Sequence, residues 1–413
     1  MAFIKMLFTS FAHSITSLFF IAVVMLAYMH IRRNAQLEEY WLGILRNPVG
    51  TQLANVVFFG MLIGLMASFL IVIIGITIDY QAILFIWPLA LILMLFNQRY
   101  MCFSYAGGIV SLLSLITGWP KIDVSAIIAL IGILHLMESV LIMLDGHRDG
   151  VPVWMEHSRF KPVGAYLFQK MWPIPLVVLV IPYAGAQLAA NGGGVSMPDW
   201  WPLIRPGIPG DPRNLTYLLL PVVAGLGYGD VAIARSPAEK SRLSSLCLGA
   251  YSLLLLVLAV LADQSRAVAV AAALFSPLGH EAVIFAGRAL ELKGKPLYVP
   301  PEKGVRVLDV IPDSPAWRLG LRPGDVVLAF DGQELSGGAD FYSRLKEAFL
   351  PLTVDYRSQA TGTPRRGVML PPAPGRPWGI VTVPEAEEDR YVELFTTGPL
   401  GRWLLQGLRK FMS

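Results

Sequence analysis

Five ionisable residues fall within or at the ends of long apolar runs: His135, Glu138, Asp145, His280 and Glu281. A charge at the centre of a bilayer costs roughly 2.5–3.5 kcal/mol or more, so such residues are functional candidates. His135 and Glu138 are three apart, which places them on one face of a helix. Asp145 ends the same run, and His280-Glu281 sits in a later run broken by Pro277-Leu278-Gly279. Imidazoles and carboxylates so placed can relay protons or hold a bound ligand. The competing reading is a set of polar contacts between helices that fix packing, or residues near the interface. Other chemistry finds little support. Ser314 has no neighbouring His to activate it, and Gly192-Gly193-Gly194 lacks the Lys-Ser/Thr of a phosphate loop. Cys102 and Cys247 lie far apart in apolar runs and read as buried thiols without disulfide or metal spacing. The sequence therefore assigns no catalytic residue, no metal and no cofactor.

The elements that must position these residues are membrane spans. Of 413 residues 55% are hydrophobic and 15% charged, with a mean hydropathy of +0.57, which suits a polytopic membrane protein. A formal charge of +4, spread among loops, gives no reason to expect nucleic acid. About 20 apolar residues cross the hydrocarbon core. Nine runs qualify: Phe11 to His30, Leu53 to Ile76, Ala82 to Phe96, Cys102 to Thr117, Val124 to Leu144, Met171 to Ala190, Leu215 to Ala232, Leu243 to Leu261 and Val268 to Phe285. Trp87-Pro88 interrupts the third. The first lacks a cleavage site and ends in Ile31-Arg32-Arg33, which reads as a retained anchor. The expected organisation is a helical membrane domain over 1–290, a small α+β domain over 291–386 and a tail over 387–413.

Basic loops set the orientation. If the C-terminal domain is cytoplasmic, the inner segments carry Arg32, Arg33, Arg46, Arg99, Arg148, Arg159, Lys161, Lys170, Arg235, Lys240 and Arg242. The outer ones carry only Lys5, Lys121, Arg205, Arg213 and Arg266, so the α+β domain is expected inside. The outer loop from Asn191 to Arg213, with Trp200 and Trp201, reads as interfacial. In the tail, Leu400, Trp403, Leu404, Leu408, Phe411 and Met412 alternate with Arg402, Arg409 and Lys410 at helical spacing. Such a basic amphipathic helix can lie on anionic lipid, dock in a partner's groove or pack back on its own domain.

The segment from Gly304 to Leu335 reads as a strand, a short helix capped by Ser314-Pro315 and ended by Gly320, a Pro-Gly-Asp turn, and a second strand leading to an Asp331-Gly332 hairpin. Asp340 is expected to cap a further helix that places Phe341 and Leu345 on one face, followed by a strand over Leu352 to Tyr356. This order, with the run VIPDSPAWRLGLRPGDVVLAFDG, resembles a bacterial PDZ domain over roughly Pro296 to Pro384. The resemblance implies a module that adds an extended peptide to a sheet edge beside a helix. Two strand starts can supply its groove. Pro296-Leu297-Tyr298-Val299 lacks a glycine, whereas Trp378-Gly379-Ile380 has the hydrophobic-Gly-hydrophobic pattern. The second is preferred, with Trp378, Gly379 and Ile380 lining a groove opposite Phe341 and Leu345, although a strand that merely completes the sheet fits equally.

Several spans joined to a PDZ domain also raise the intramembrane zinc proteases. Their paired His ligands are absent after His280-Glu281, Leu144-Asp145-Gly146 precedes that motif, and the PDZ domain follows both. At most this is a degenerate relative. The runs LHLMESVLIMLDG, PVGAYLFQKMWPIPLVVLVIP and LGHEAVIFAGR ahead of a terminal PDZ domain resemble the MinJ-type membrane proteins of Gram-positive division-site selection. That resemblance implies a scaffold linking a DivIVA-like protein to a MinD-like ATPase, with no catalytic residue to transfer. A transporter or sensor with a regulatory PDZ domain is the runner-up, and homo-oligomerisation stays open.

Overall fold

The computed structural model describes residues 2–157, 159–160, 162–181, 198–207, 211–212 and 215–384. The expected tail helix lies outside the described residues. Up to Lys293 the chain forms helices around a three-stranded antiparallel sheet. The helices are α1 (Ala2–Ile15), α2 (Leu18–Leu42), α3 (Val49–Ile74), α4 (Tyr80–Phe96), α5 (Phe103–Thr117), α6 (Val124–Asp145), α7 (Pro237–Ala262) and α8 (Arg266–Lys293). The strands are β1 (Val151–Met155), β2 (Val163–Val180) and β3 (Leu218–Ala232), in the order β1-β2-β3. Five of these helices, α2, α3, α6, α7 and α8, are long and apolar enough to cross a membrane.

The nine expected helical spans need correcting. Two of them, Met171 to Ala190 and Leu215 to Ala232, are the β2–β3 hairpin where they are described. Hydropathy measures apolar length and is blind to secondary structure. The local signals were Pro173 and Pro175, two prolines at period two that together would remove two helical hydrogen bonds within one turn, the β-branched residues after them, and glycines at 225, 227 and 229 in the partner strand. The first run is two helices, broken at Thr16-Ser17, where Ser17 caps α2. Pro88 and Pro277, by contrast, are accommodated inside continuous helices. Cys247 is exposed on α7, not buried.

A strand edge at membrane depth must have its backbone groups satisfied within the protein. One edge of β2 faces β3; the other runs along α3, and its outward backbone groups are accounted for in turn. Pro173 and Pro175 have none to satisfy. Val177 N–H donates to Ser68 Oγ on α3 at 2.9 Å, and Ile78 N–H donates to the Leu179 carbonyl at 2.8 Å. The approach is possible because α3 presents glycines: a Cβ on Gly60 or Gly64 would lie 2.2 or 2.1 Å from the Pro173 or Pro175 carbonyl oxygen. Trp201, expected at the interface, is buried with its indole on the Val72 carbonyl.

The second unit is a sheet in the order β8-β7-β5-β4-β9, with β6 on β5. Its strands are β4 (Val305–Val310), β5 (Val326–Phe330), β6 (Gln333–Glu334), β7 (Leu352–Arg357), β8 (Pro364–Met369) and β9 (Ile380–Thr382), with helices α9 (Pro315–Leu319) and α10 (Gly338–Glu347). Ser314 caps α9 and Gly320 ends it with φ +95°. Asp340 lies in the first turn of α10, past the cap position, and accepts the Ser336 amide instead. The core joins Val307, Val327, Phe330, Phe341, Val354 and Ile380.

This unit is docked on the helical part. Arg46, after α2, pairs with Glu38 of α2 and Asp309 of β4, and donates to the Gly150 carbonyl. Burial holds the Asp309 carboxyl above the ordinary carboxylate range, although Arg46 pulls the other way. Tyr166 of β2 donates to the Leu308 carbonyl at 2.6 Å.

Candidate functional site

Two places gather the residues singled out from the sequence. The first is the seam in the C-terminal unit between edge strand β9 and helix α10. Gly379 enters β9 with φ +88°, a conformation open to glycine, and a Cβ there would lie 2.1 Å from Ser314 Oγ. Trp378, just before it, donates its indole N–H to the Leu345 carbonyl on α10 at 2.9 Å. Phe341 and Leu345 are buried in the same apolar cluster as Ile380. The structure thus brings Trp378, Gly379, Ile380, Phe341 and Leu345 together. The other candidate strand, Pro296 to Val299, is engaged elsewhere: Leu297 N–H bonds the Ile233 carbonyl and Tyr298 pairs with Gly164.

Backbone polarity alternates along an antiparallel strand. Gly379 C=O and Val383 N–H turn inward to Ile311 and Arg306, so Ile380 and Thr382 turn their backbone groups to the outer edge. That edge is partly occupied. The indole of Trp154 on β1 donates to the Thr382 carbonyl at 3.2 Å, and Tyr342 of α10 bonds Thr382 Oγ1 at 2.9 Å. A cavity between Tyr40, Trp41, Trp154, Tyr342 and Val381 adjoins this end.

The second place lies among α5, α6 and α8. His135 is buried on α6 and bonds the Ile131 carbonyl through Nδ1 at 2.8 Å. Its Nε2 lies 3.1 Å from the Sγ of Cys102, the residue that caps α5. His280 on α8 contacts the Tyr105 hydroxyl through Nδ1 at 3.3 Å, and its Nε2 lies 3.9 Å from the same sulfur. Tyr105 donates to Glu281 at 2.6 Å, and Glu281 pairs with Arg99 at 3.1 Å. Arg99 therefore belongs to the short turn between α4 and α5, beside α8, and not to a basic inner loop.

Asp145 is not part of this cluster. At the end of α6 it accepts Lys170 at 3.2 Å and the Trp172 indole at 3.0 Å, both from β2. Sequence reasoning missed Cys102, because its partners are 33 and 178 residues away and no linear spacing announces them.

A PDZ domain family model matches residues 306–349. The chain is 27% identical over 240 residues to the cell division topological determinant MinJ of Bacillus subtilis, covering 55% of this chain and 52% of that protein. The match thus spans about half the length of that relative. A further match, 40% identical over 55 residues, is to the putative serine protease HhoA of Synechocystis sp.; it covers 13% of this chain and 14% of that protein. The chain is therefore a membrane protein with a PDZ domain, similar to MinJ.

Proposed function

We propose that this protein is a multi-pass membrane scaffold whose PDZ groove captures an extended peptide from partner proteins in cell-division site selection. The carrying observation is edge strand β9, entered through Gly379 at positive φ and packed beside α10. In this reading, the Ile380 N–H would hold a chain-end carboxylate and Thr382 would pair with a ligand residue two positions back. The likeness to MinJ supports division-site selection, and the sequence resemblance suggests DivIVA-like and MinD-like proteins as partners.

Charge supports a cytoplasmic PDZ domain. Arg46, Arg148, Arg235 and Arg242 lie at the PDZ end of the helices, whereas Lys121, Arg205 and Arg266 lie at the other. In-cell crosslinking followed by pull-down tests the reading, comparing the intact chain, one truncated before Lys295, and Gly379→Pro. Division-site proteins captured by the intact chain alone are the expected result. Their equal capture by all three places recognition elsewhere. The polar cluster on α5, α6 and α8 favours one second reading, a sensor or transporter regulated through the PDZ domain. That reading requires Glu138→Gln to abolish activity while leaving partner capture intact.

A further inference from the structure

We propose that Cys102, His135 and His280 form a metal site for a zinc-type divalent ion, clamping the turn between α4 and α5 to α6 and α8. The three candidate ligand atoms lie within 4.8 Å of one another. Tetrahedral zinc, with Zn–S about 2.3 Å and Zn–N about 2.0–2.1 Å, places sulfur and nitrogen ligands about 3.5 Å apart. The observed separations of 3.1 and 3.9 Å bracket that value.

Hydrogen bonding around the site points the same way. His135 gives its Nδ1–H to the Ile131 carbonyl, which leaves the Nε2 lone pair aimed at Cys102. Tyr105 donates its own proton to Glu281, so its oxygen is free to accept Nδ1–H from His280. That leaves the His280 Nε2 lone pair aimed at the same sulfur. Two lone pairs thus converge on a thiol that has a single proton to give. A cation satisfies all three atoms at once, and a histidine whose far nitrogen is held by a carbonyl or hydroxyl is the usual arrangement of a metal ligand.

Charge balance adds a fourth participant. Glu138 lies one turn beyond His135, close enough to interact electrostatically with Cys102, and makes no hydrogen bond or ion pair among the described residues. Binding exchanges the Cys102 thiol proton, released to water, for the metal ion. A divalent ion with one thiolate and two neutral imidazoles carries a single positive charge, which Glu138 would balance as a carboxylate, any proton it carries being released to water with that of Cys102. The donor set of one soft sulfur and two imidazoles suits zinc and excludes hard cations such as magnesium or calcium. The site's depth follows from the helix rise of 1.5 Å per residue: His135 lies about 17 Å into α6, near its middle. A clamp there would hold α4 and α5 as a hairpin that turns part-way along α6 and α8.

The test uses the full chain purified in detergent, with Zn²⁺ and Co²⁺ as probes. The chain has only two cysteines, so Cys247→Ser leaves Cys102 as its sole thiol. The expected result is about one Co²⁺ per chain, with a sulfur-to-cobalt charge-transfer band that persists in Cys247→Ser and vanishes in Cys102→Ser. His280→Gln should weaken Zn²⁺ binding by more than the 10- to 100-fold seen when a residue that only orients a ligand is lost. A second measurement does not depend on a variant at the site: in Cys247→Ser, Zn²⁺ should slow maleimide labelling of Cys102 and a chelator should restore it. Equal labelling with and without Zn²⁺, or a charge-transfer band surviving Cys102→Ser, overturns the proposal.

Discussion

In the proposed binding mode, Trp154 stands where a ligand strand would pair. Its indole N–H donates to the outward carbonyl of Thr382, the acceptor that a peptide paired with β9 as proposed would use. Ligand binding therefore has to break this bond or forgo its own. A net protein hydrogen bond contributes about 0.5–1.5 kcal/mol, and one at 3.2 Å, the long end of the normal range, belongs in the middle of that interval or lower. Trp154→Phe keeps an aromatic ring against Trp41, now 5.2 Å away centroid to centroid, and removes only the donor. With up to about 1 kcal/mol released, peptide affinity should rise up to about fivefold. The assay is fluorescence anisotropy on the full chain in detergent, using a labelled peptide with a free hydrophobic C-terminus selected against the unmodified protein. Tyr342→Phe is the control: it frees the Thr382 hydroxyl and leaves the Trp154–Thr382 bond in place, so affinity should change less than twofold. Unchanged or weaker binding by Trp154→Phe would refute the reasoning, because the ligand would not then pair at Thr382.

Three further outcomes follow from the packing. Lys170→Met leaves Asp145 buried with its charge unpaired and should destabilise the membrane part by roughly 3–5 kcal/mol, whereas Lys170→Met with Asp145→Leu should recover much of the loss; thermal melting in detergent reads both, and equal stability would show that the pair is not structural. Gly64→Val drives a side chain into the Pro175 carbonyl, where neither partner can move aside, so the protein should fail to elute as a single species in size-exclusion chromatography. Asp355 and Asp340 are held below the ordinary carboxylate value of 3.8, by the Arg366 side chain and the Ser336 amide respectively. With the folded value depressed, their stabilisation is complete above pH 3.8 and is lost as pH falls through the folded value, so the PDZ melting transition should drop on acidification and Asp355→Asn should flatten that drop.

The PDZ unit was legible because its signals are local. Ser314-Pro315, Gly320 and Asp331-Gly332 each specify a cap or turn within a few residues, and the structure uses them as written. The β2–β3 hairpin was not legible from hydropathy, since a buried strand and a buried helix are equally apolar. Two prolines at period two and three alternating glycines carried that information, and their meaning depends on α3 lying against the strand. Among the polar residues, the i, i+3 spacing of His135 and Glu138 placed them on one face. It could not show that Cys102 and His280 face them from two other helices, because helix packing and not sequence distance decides which side chains meet.

The contacts at the junction bear on how a scaffold of this kind would work. A PDZ domain on a free tether would bind its ligand without consequence for the membrane part. Here Arg46 joins Glu38 on α2, the Gly150 carbonyl beyond α6, and Asp309 on β4, all in one cluster. Strand β4 is the immediate neighbour of β9, and Val381 and Val383 pack on the apolar core of the helical part. The groove is thus one strand away from a buried ion cluster whose other members belong to the helices. Removing one member of such a cluster is costly because the remaining charges stay buried, so the cluster holds together or opens as a unit. A ligand that displaced Trp154 from Thr382 would weaken the docking at one end while Arg46 held the other. If the groove binds as proposed, its occupancy would therefore change the contact between the PDZ domain and β1, the strand that continues through β2 into the membrane part.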